Sequence, residues 1–499
     1  MMNRNSEITI PPEHALYLAE DVRELDRRAI DGGIAGRELM ERAGRAAFDV
    51  LRERLPEYSS LLVLCGAGNN AGDGYVIARL AMEAGLDVTV CSLLDENKLS
   101  GDAKSAYDDW RAAGGELIPF ARDLLPGAEI IIDAVLGTGL DRPVTGELAD
   151  TFAEINAFPR PIVAIDIPSG LHADTGAVFG TALRADLTVT FIGRKIGLAT
   201  GHGRTLAGEE IFRHLDVPDD VYAGIEPAAT TISDADLDIL APRPRDAHKG
   251  HFGHLLVIGG GTGMPGAARM AGLAALRTGA GKVTLAVDIS NVDAVAAGSP
   301  ELMVYPVEDP EDMDSILENV QVLAIGPGLG REARGWKLVQ AGLHARLPTV
   351  LDADALNLIA AATPLQLPHT ILTPHPGEAA RLLNCETLDV VSDRPRAARE
   401  LARRFDAIVV LKGAGTLVAR PNGELRLCEA GNPGMATAGM GDVLTGVIAA
   451  LLSQGAEPWE AACTGVLVHA RAGDRAADFG ERGLIASDVI DELRAVVNP

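Results

Sequence analysis

The run Asn432 to Asp442, NPGMATAGMGD, leads straight into the apolar stretch VLTGVIAALL. A chain carrying that junction must make a glycine-rich turn and enter a buried helix at once. Glycines 434, 439 and 441 permit positive φ and close backbone approach, and the unpaired amides of the helix that follows face whatever lies above them. An anion such as phosphate fits there, with Asp442 beside it. A carboxylate next to an anion site reads as a base toward a hydroxyl more readily than as another anion ligand. An N-capping aspartate after a flexible turn has the same local sequence, so the weight rests on what accompanies the run.

The 499 residues exceed one ordinary core, and two domains of roughly 200 to 280 residues are expected. A formal charge of −26 argues against nucleic acid or an anionic membrane as the main partner. Cys65, Cys91, Cys385, Cys428 and Cys463 are scattered and lack CxxC spacing, which disfavours a disulfide framework or a zinc site and suits a reducing cytoplasm. The opening MMNRNSEITIPPEHALYL lacks the apolar core of a signal peptide, and no apolar run approaches membrane-spanning length.

From Ala19 to Leu55 apolar and charged residues alternate at helical spacing. Leu61 to Cys65, Val88 to Cys91, Ile130 to Ile132 and Ile162 to Ile165 then read as short buried strands separated by helices. That pattern predicts a doubly wound parallel sheet with ligands at the strands' C-terminal ends. Between about Arg213 and Asp246 the periodicity gives way to a Pro-, Asp- and Ala-rich junction, placing one domain over residues 1–225 and another over 226–499. The second half restarts with LLVIGG and continues with VTLAV, VLAIGPGLG, TVLDADAL, TILTPHPGE and AIVVLKGAGT, again α/β with different turns.

In the first half, GAGNNAGDGYVIARLA (Gly66 to Ala81) is a strand–turn–helix element with a glycine cradle and two side-chain amides, Asn69 and Asn70. IIDAVLGTGLDRP (Ile131 to Pro143) and VAIDIPSGL supply Asp133, Asp166 and Ser169 at further strand ends. Asn70, Asp133 and Ser169 together make an oxygen cage for a hard cation, K⁺ or Mg²⁺. Lys195 in FIGRKIGL reads equally as a phosphate-neutralising cation or as a surface lysine that snorkels.

These motifs, with the helix AEDVRELDRRAIDGGIAGRELMERAG, resemble the epimerase domain of the NAD(P)H-hydrate repair enzymes over roughly residues 15 to 220. The resemblance implies a Rossmann-like domain that inverts C6 of a hydrated nicotinamide ring. Asn69, Asn70, Ala71, Gly72 and Asp73, with Gly137, Thr138, Gly139, Leu140, Asp141, Arg142, Pro143 and Asp166, would contact the hydrated dinucleotide. Asn70, Asp133 and Ser169 would hold K⁺, and Asp166 would carry the proton. Ala71 stands where the family usually has glycine, and alanine would strain a loop that needs positive φ there.

In the second half, a lysine and glycines flank the strand after His248, in HKGHFGHLLVIGGGTGMPGAA. His375 sits between two prolines in TPHPGE, which points to a positioned polar contact, and Lys412 ends a strand in KGAGT, which suits a nucleotide phosphate or ribose. The loop is not GxxxxGK[ST]. The series HKGxxG, GPGLG, DADAL, TPHPGE, KGAGT and NPGMATAGMGD resembles the ribokinase-like dehydratase domain of the same repair family over roughly residues 230 to 495. By motif position Ala267, Gly328, His375 and Asp442 would contact the hydrated dinucleotide. Lys412, Gly413, Ala414, Gly415, Thr416 and Gly441 would contact ADP or ATP, accompanied by Mg²⁺.

The joint implication is one chain that epimerises NADHX and NADPHX and dehydrates one epimer, with Asp442 as base. The acidic chain and ribokinase-like core are compatible with a homo-oligomer. The competing reading is a ribokinase-type small-molecule kinase with an accessory first domain, which would release a stable phosphorylated product.

Overall fold

The computed structural model describes residues 12–362 and 365–498; Met1 to Pro11, read above for a targeting signal, lie outside them. The chain divides into two compact units, Met1–Thr230 and Thr231–Pro499. Residues 226–230 fall to the first unit rather than the second because Ala229 and Thr230 pair with Leu16 and Ala15.

Seven strands form the sheet of the first unit: β1 (Ser60–Cys65), β2 (Asp87–Ser92), β3 (Leu117–Pro119), β4 (Ile130–Ala134), β5 (Ile162–Ile165), β6 (Leu187–Phe191) and β7 (Glu209–Arg213). Their order is β3-β2-β1-β4-β5-β6-β7, every pair parallel. Near-continuous apolar strands such as SLLVLC are what a parallel sheet covered on both faces requires. Leu61, Val63 and Cys65 enter one core with Tyr75 and Leu51, while Leu62 and Leu64 enter another with Phe152. The strand order reverses at β1 and β4, and the crevice outside their C-terminal ends is where such a sheet takes a ligand.

The second unit repeats that order with β8 (His254–Ile258), β9 (Lys282–Val287), β10 (Met303–Pro306), β11 (Val322–Ile325), β12 (Thr349–Leu351), β13 (Thr370–Leu372) and β14 (Ile408–Leu411). They run β10-β9-β8-β11-β12-β13-β14, all parallel. Two antiparallel strands follow, β15 (Thr416–Ala419) and β16 (Leu425–Cys428), so KGAGT is the turn of a hairpin. Helix Met440–Ser453 is apolar nearly all round and packs in the core with helix Pro265–Thr278. Among the described residues no helix is long and apolar enough to cross a membrane.

Candidate functional site

Each unit carries a cluster of charged groups at the C-terminal edge of its sheet. In the first unit a cavity of about 420 Å³ is lined by Asn69, Asn70, Asp73, Gly137 to Gly139 and Asp166, together with Asp26, Met40 and Phe191. Of the residues expected to contact a dinucleotide, Leu140 to Pro143 and the buried Ala71 and Gly72 do not line it.

The expected loop Asn69 to Asp73 is the first turn of helix Asn69–Glu83. Asn70 and Asp73 therefore project from a helix start, where the amides of Ala71 and Gly72 already donate to the Gly68 carbonyl at 3.1 and 3.4 Å. Ala71 has no positive φ, so the strain anticipated for a loop does not arise.

Lys195 is neither a surface lysine nor a free cation. It is fully buried, and its ammonium forms an ion pair with the Asp166 carboxylate while donating to Thr190 Oγ1 at 3.0 Å and the Phe191 carbonyl at 3.3 Å. Asp166 itself has φ 69°, a conformation that costs a non-glycine residue energy and that the surrounding contacts must hold.

Two more carboxylates face this pair. Burial, opposed by Lys195 and reinforced by Asp166, pushes Asp26 up to about 6. Burial followed by Asp166 and Asp26 drives Asp73 well above the carboxylate range, again against Lys195. Asp26 has a signal in the sequence that the motifs do not include. It is four residues after Val22 and three before Ala29 on the buried stripe of helix Ala19–Asp31, where a solvated acid is not expected.

The expected cation cage is partly assembled. Asp133 is fully buried; its Oδ2 accepts from the Ser169 amide at 2.7 Å, and its Oδ1 accepts from Ser169 Oγ at 2.5 Å and the Val135 amide at 3.3 Å. Burial raises its pKa to about 6 against those hydrogen bonds. Ser169 Oγ also accepts from the Leu136 amide at 2.8 Å. Asn70 lies against Gly137 and is buried with both amide atoms lacking a hydrogen-bond partner. Such a group needs a ligand to offset its desolvation.

In the second unit the central charge is Lys412, at the end of β14. Its ammonium is 2.7 Å from Asp352 Oδ1 and 3.9 Å from Glu378 Oε2. The expected nucleotide lysine is thus already engaged by two buried carboxylates, and it faces Gly441. A Cβ there would stand 3.1 Å from Nζ, so Gly441 is needed for room and not for its φ. Of glycines 434, 439 and 441 only Gly439, at the helix N-cap, has positive φ, 91°.

Asp442 sits in the first turn of helix Met440–Ser453. Burial, then Asp352, push its pKa up to about 7, with Asp354 and Glu378 adding to the rise and Lys412 opposing it. His375 caps helix Pro376–Leu383, its Nδ1 accepting from the Gly377 amide at 3.0 Å, which leaves the proton of the neutral ring on Nε2. Burial, then Lys412 and Arg381, hold its pKa below the usual value. Gly328, φ 59°, brings the GPGLG turn against Met264 and Ala267; a Cβ would stand 3.1 Å from that of Ala267, so two expected substrate contacts are neighbours.

The turn Lys412 to Thr416 is held from beneath by Arg394, which the motifs do not include. This nearly fully buried guanidinium donates to the carbonyls of Lys412 at 3.2 Å and Gly415 at 3.1 Å. Its position at the start of helix Arg394–Phe405 gives no sequence signal, since arginines crowd that segment.

Residues 255–494 match the family of NAD(P)H-hydrate dehydratases, and residues 36–197 match that of YjeF-related protein N-termini. A bifunctional NAD(P)H-hydrate repair enzyme of Coxiella burnetii is 44% identical, over 97% of this chain and 99% of the relative. The Escherichia coli enzyme of that name is 43% identical, over 99% and 96%. A crystal structure of a hypothetical protein from Streptococcus mutans superposes with a TM-score of 0.51 at 28% identity, covering 54% of this chain and 99% of its own. Two family matches in tandem, one over each charged cluster, and relatives similar from end to end leave one conclusion: the chain belongs to the bifunctional NAD(P)H-hydrate repair enzymes.

Proposed function

We propose that the first unit interconverts the C6 epimers of hydrated NADH and NADPH and that the second dehydrates the S epimer, using ADP or ATP. The observation that carries the second half is Asp442, a carboxylate pushed up to about 7 at a helix start beside the half-buried Lys412 ammonium. In its charged form it takes the proton of the C6 hydroxyl, whose oxygen accepts the phosphoryl group; the helix amides and Lys412 stabilise the charge that develops. Loss of the phosphate, with departure of a ring proton, then restores the dihydropyridine. His375, with its proton on Nε2 and Glu378 Oε1 at 3.5 Å, is exposed enough to donate to the substrate.

Mg²⁺ is expected to enter with the nucleotide, whose phosphates supply ligands and whose charge it offsets. Among the described residues no group of three or more His, Cys, Asp or Glu side chains is placed to hold a metal by itself.

Because the base must be ionised, kcat/KM for dehydration should fall as pH drops through about 7, tenfold per unit below it. Phosphate release measured from pH 5.5 to 8.5 checks this; a flat profile would remove Asp442 from the role. A phosphorylated dinucleotide accumulating in place of free phosphate would favour the kinase reading.

In the first unit, expulsion of the C6 hydroxyl gives an iminium that water re-enters from either face. Asp166 is the proton carrier, held by Lys195. The unpartnered Asn70 amide and the hydrogen-bonded Asp133–Ser169 pair are oxygen donors that would hold a K⁺ ion, which would supply positive charge to the site. Asn70→Ala should raise the K⁺ concentration for half-maximal epimerase activity about tenfold, the loss of roughly one charge–dipole contact. Titrating K⁺ against a choline background tests it, and an unchanged midpoint would exclude Asn70 as a ligand. Five free thiols support a reducing compartment such as the cytoplasm.

A further inference from the structure

We propose that Asp352 is a positioning residue for phosphoryl transfer, tying the Lys412 ammonium to the helix that carries Asp442. The inference rests on the dehydratase reading and adds to it a residue outside the expected contact set.

Asp352 follows β12 and occupies the N-cap of helix Ala353–Ala360 with extended backbone, yet its side chain makes no capping hydrogen bond. An aspartate in that position ordinarily accepts from the amides of its own helix. Here the carboxylate, 1% exposed, is directed elsewhere. Oδ1 accepts from Lys412 Nζ at 2.7 Å, and Oδ2 accepts from Thr445 Oγ1 at 2.9 Å. Thr445 is three residues after Asp442 on helix Met440–Ser453, so it shares that helix face.

One carboxylate therefore joins the ends of β12 and β14 to the start of the helix bearing the base. The backbone around it is fixed independently: the Asp352 amide donates to the Ile325 carbonyl at 3.1 Å, Gly326 gives its carbonyl room, and Ala353 is held at φ 49°. Forgoing a cap and holding a non-glycine residue at positive φ both cost stability. The arrangement keeps Lys412 beside Gly441 in place of a direct pair with Asp442. Without Asp352 the ammonium would be drawn to the base and suppress its basicity.

The charged groups bearing on Asp442 are Asp352 and Asp354 at the start of one helix, Glu378 on another and Lys412 just after β14. The helix Pro458–Ala476 contributes His469, buried and held neutral by burial and Lys412, with its pKa lowered to about 4.

The test is dehydration of the S epimer by the full chain carrying Asp352→Asn or Thr445→Val, with the first unit's epimerase activity as an internal folding control. Asp352→Asn should lower kcat about 100-fold, the scale of an ångström misplacement, leave the nucleotide KM within about threefold, and move the acid limb of the pH profile below that of wild type. Thr445→Val, nearly isosteric, should lower kcat roughly fivefold, one hydrogen bond's worth, and covers the case in which Asp352→Asn does not fold. Unchanged kcat and acid limb in Thr445→Val, or a loss in Asp352→Asn confined to nucleotide KM, would overturn the proposal. Wild type that fails to dehydrate would overturn the underlying reading and the proposal with it; wild-type turnover with indifferent variants would overturn the proposal alone.

Discussion

Asp442→Ala is expected to lower kcat for dehydration by about 10³-fold or more, within the range for losing a general base, while nucleotide affinity changes by less than about threefold. The carboxylate is separated in role from the KGAGT turn, which Arg394 holds by its carbonyls. Its environment also makes removal inexpensive for the fold. Burial and three neighbouring carboxylates disfavour its charge and only Lys412 favours it, so the variant should be no less stable than wild type. Calorimetric titration with ADP or ATP and a denaturant curve would separate these effects. A variant that retains turnover, or loses nucleotide binding in parallel, would contradict the assignment.

Lys195→Met should abolish epimerase activity by about 10²-fold or more and destabilise the first unit by about 3 kcal/mol, the lower end for breaking a buried pair. Lys195 has no exposed side-chain surface whereas Asp166 keeps 18%, so solvent relieves part of the orphaned carboxylate's cost. The larger effect is electrostatic. Lys195 opposes the upward shift of both Asp26 and Asp73, so without it the cluster binds additional protons near neutrality and Asp166 loses its orientation. Asp166→Asn leaves the opposite defect, an ammonium without its counter-charge, and should lose activity without adding protons to the neighbouring acids. Epimer ratios followed by chromatography, after subtraction of the spontaneous rate, give the first quantity; urea unfolding gives the second. Full activity in Lys195→Met would show that the pair serves the fold alone.

The architecture was legible because apolar runs bounded by glycine turns recur through both halves, and short buried strands of that kind have few alternatives to a parallel sheet. Strands with mixed character were less so. Glu209–Arg213 is an edge strand with charged residues, and Thr416–Ala419 begins on the last residue of what reads as a nucleotide loop. The helical start at Asn69 was obscured because glycines and asparagines carry turn propensity that tertiary packing overrides here. Sequence singled out Asp442, His375, Lys412 and Asp166 through their motifs, and each stands in the charged cluster of its unit. It could not show that Lys412 and Lys195 are each bound to a carboxylate, since those partners lie 60 and 29 residues away. Asp352 and Arg394 act through contacts that only folding creates.

The central claim is that one chain holds two successive activities on one damaged cofactor. The most direct measurement supplies the purified chain with an epimer mixture of hydrated NADH, Mg²⁺, K⁺ and ADP or ATP, following dihydronicotinamide absorbance and released phosphate together. The account predicts recovery of both epimers at a rate above spontaneous epimerisation, with one phosphate released per dinucleotide restored. Recovery that stalls when one epimer is consumed, or dinucleotide restored without phosphate, would contradict it.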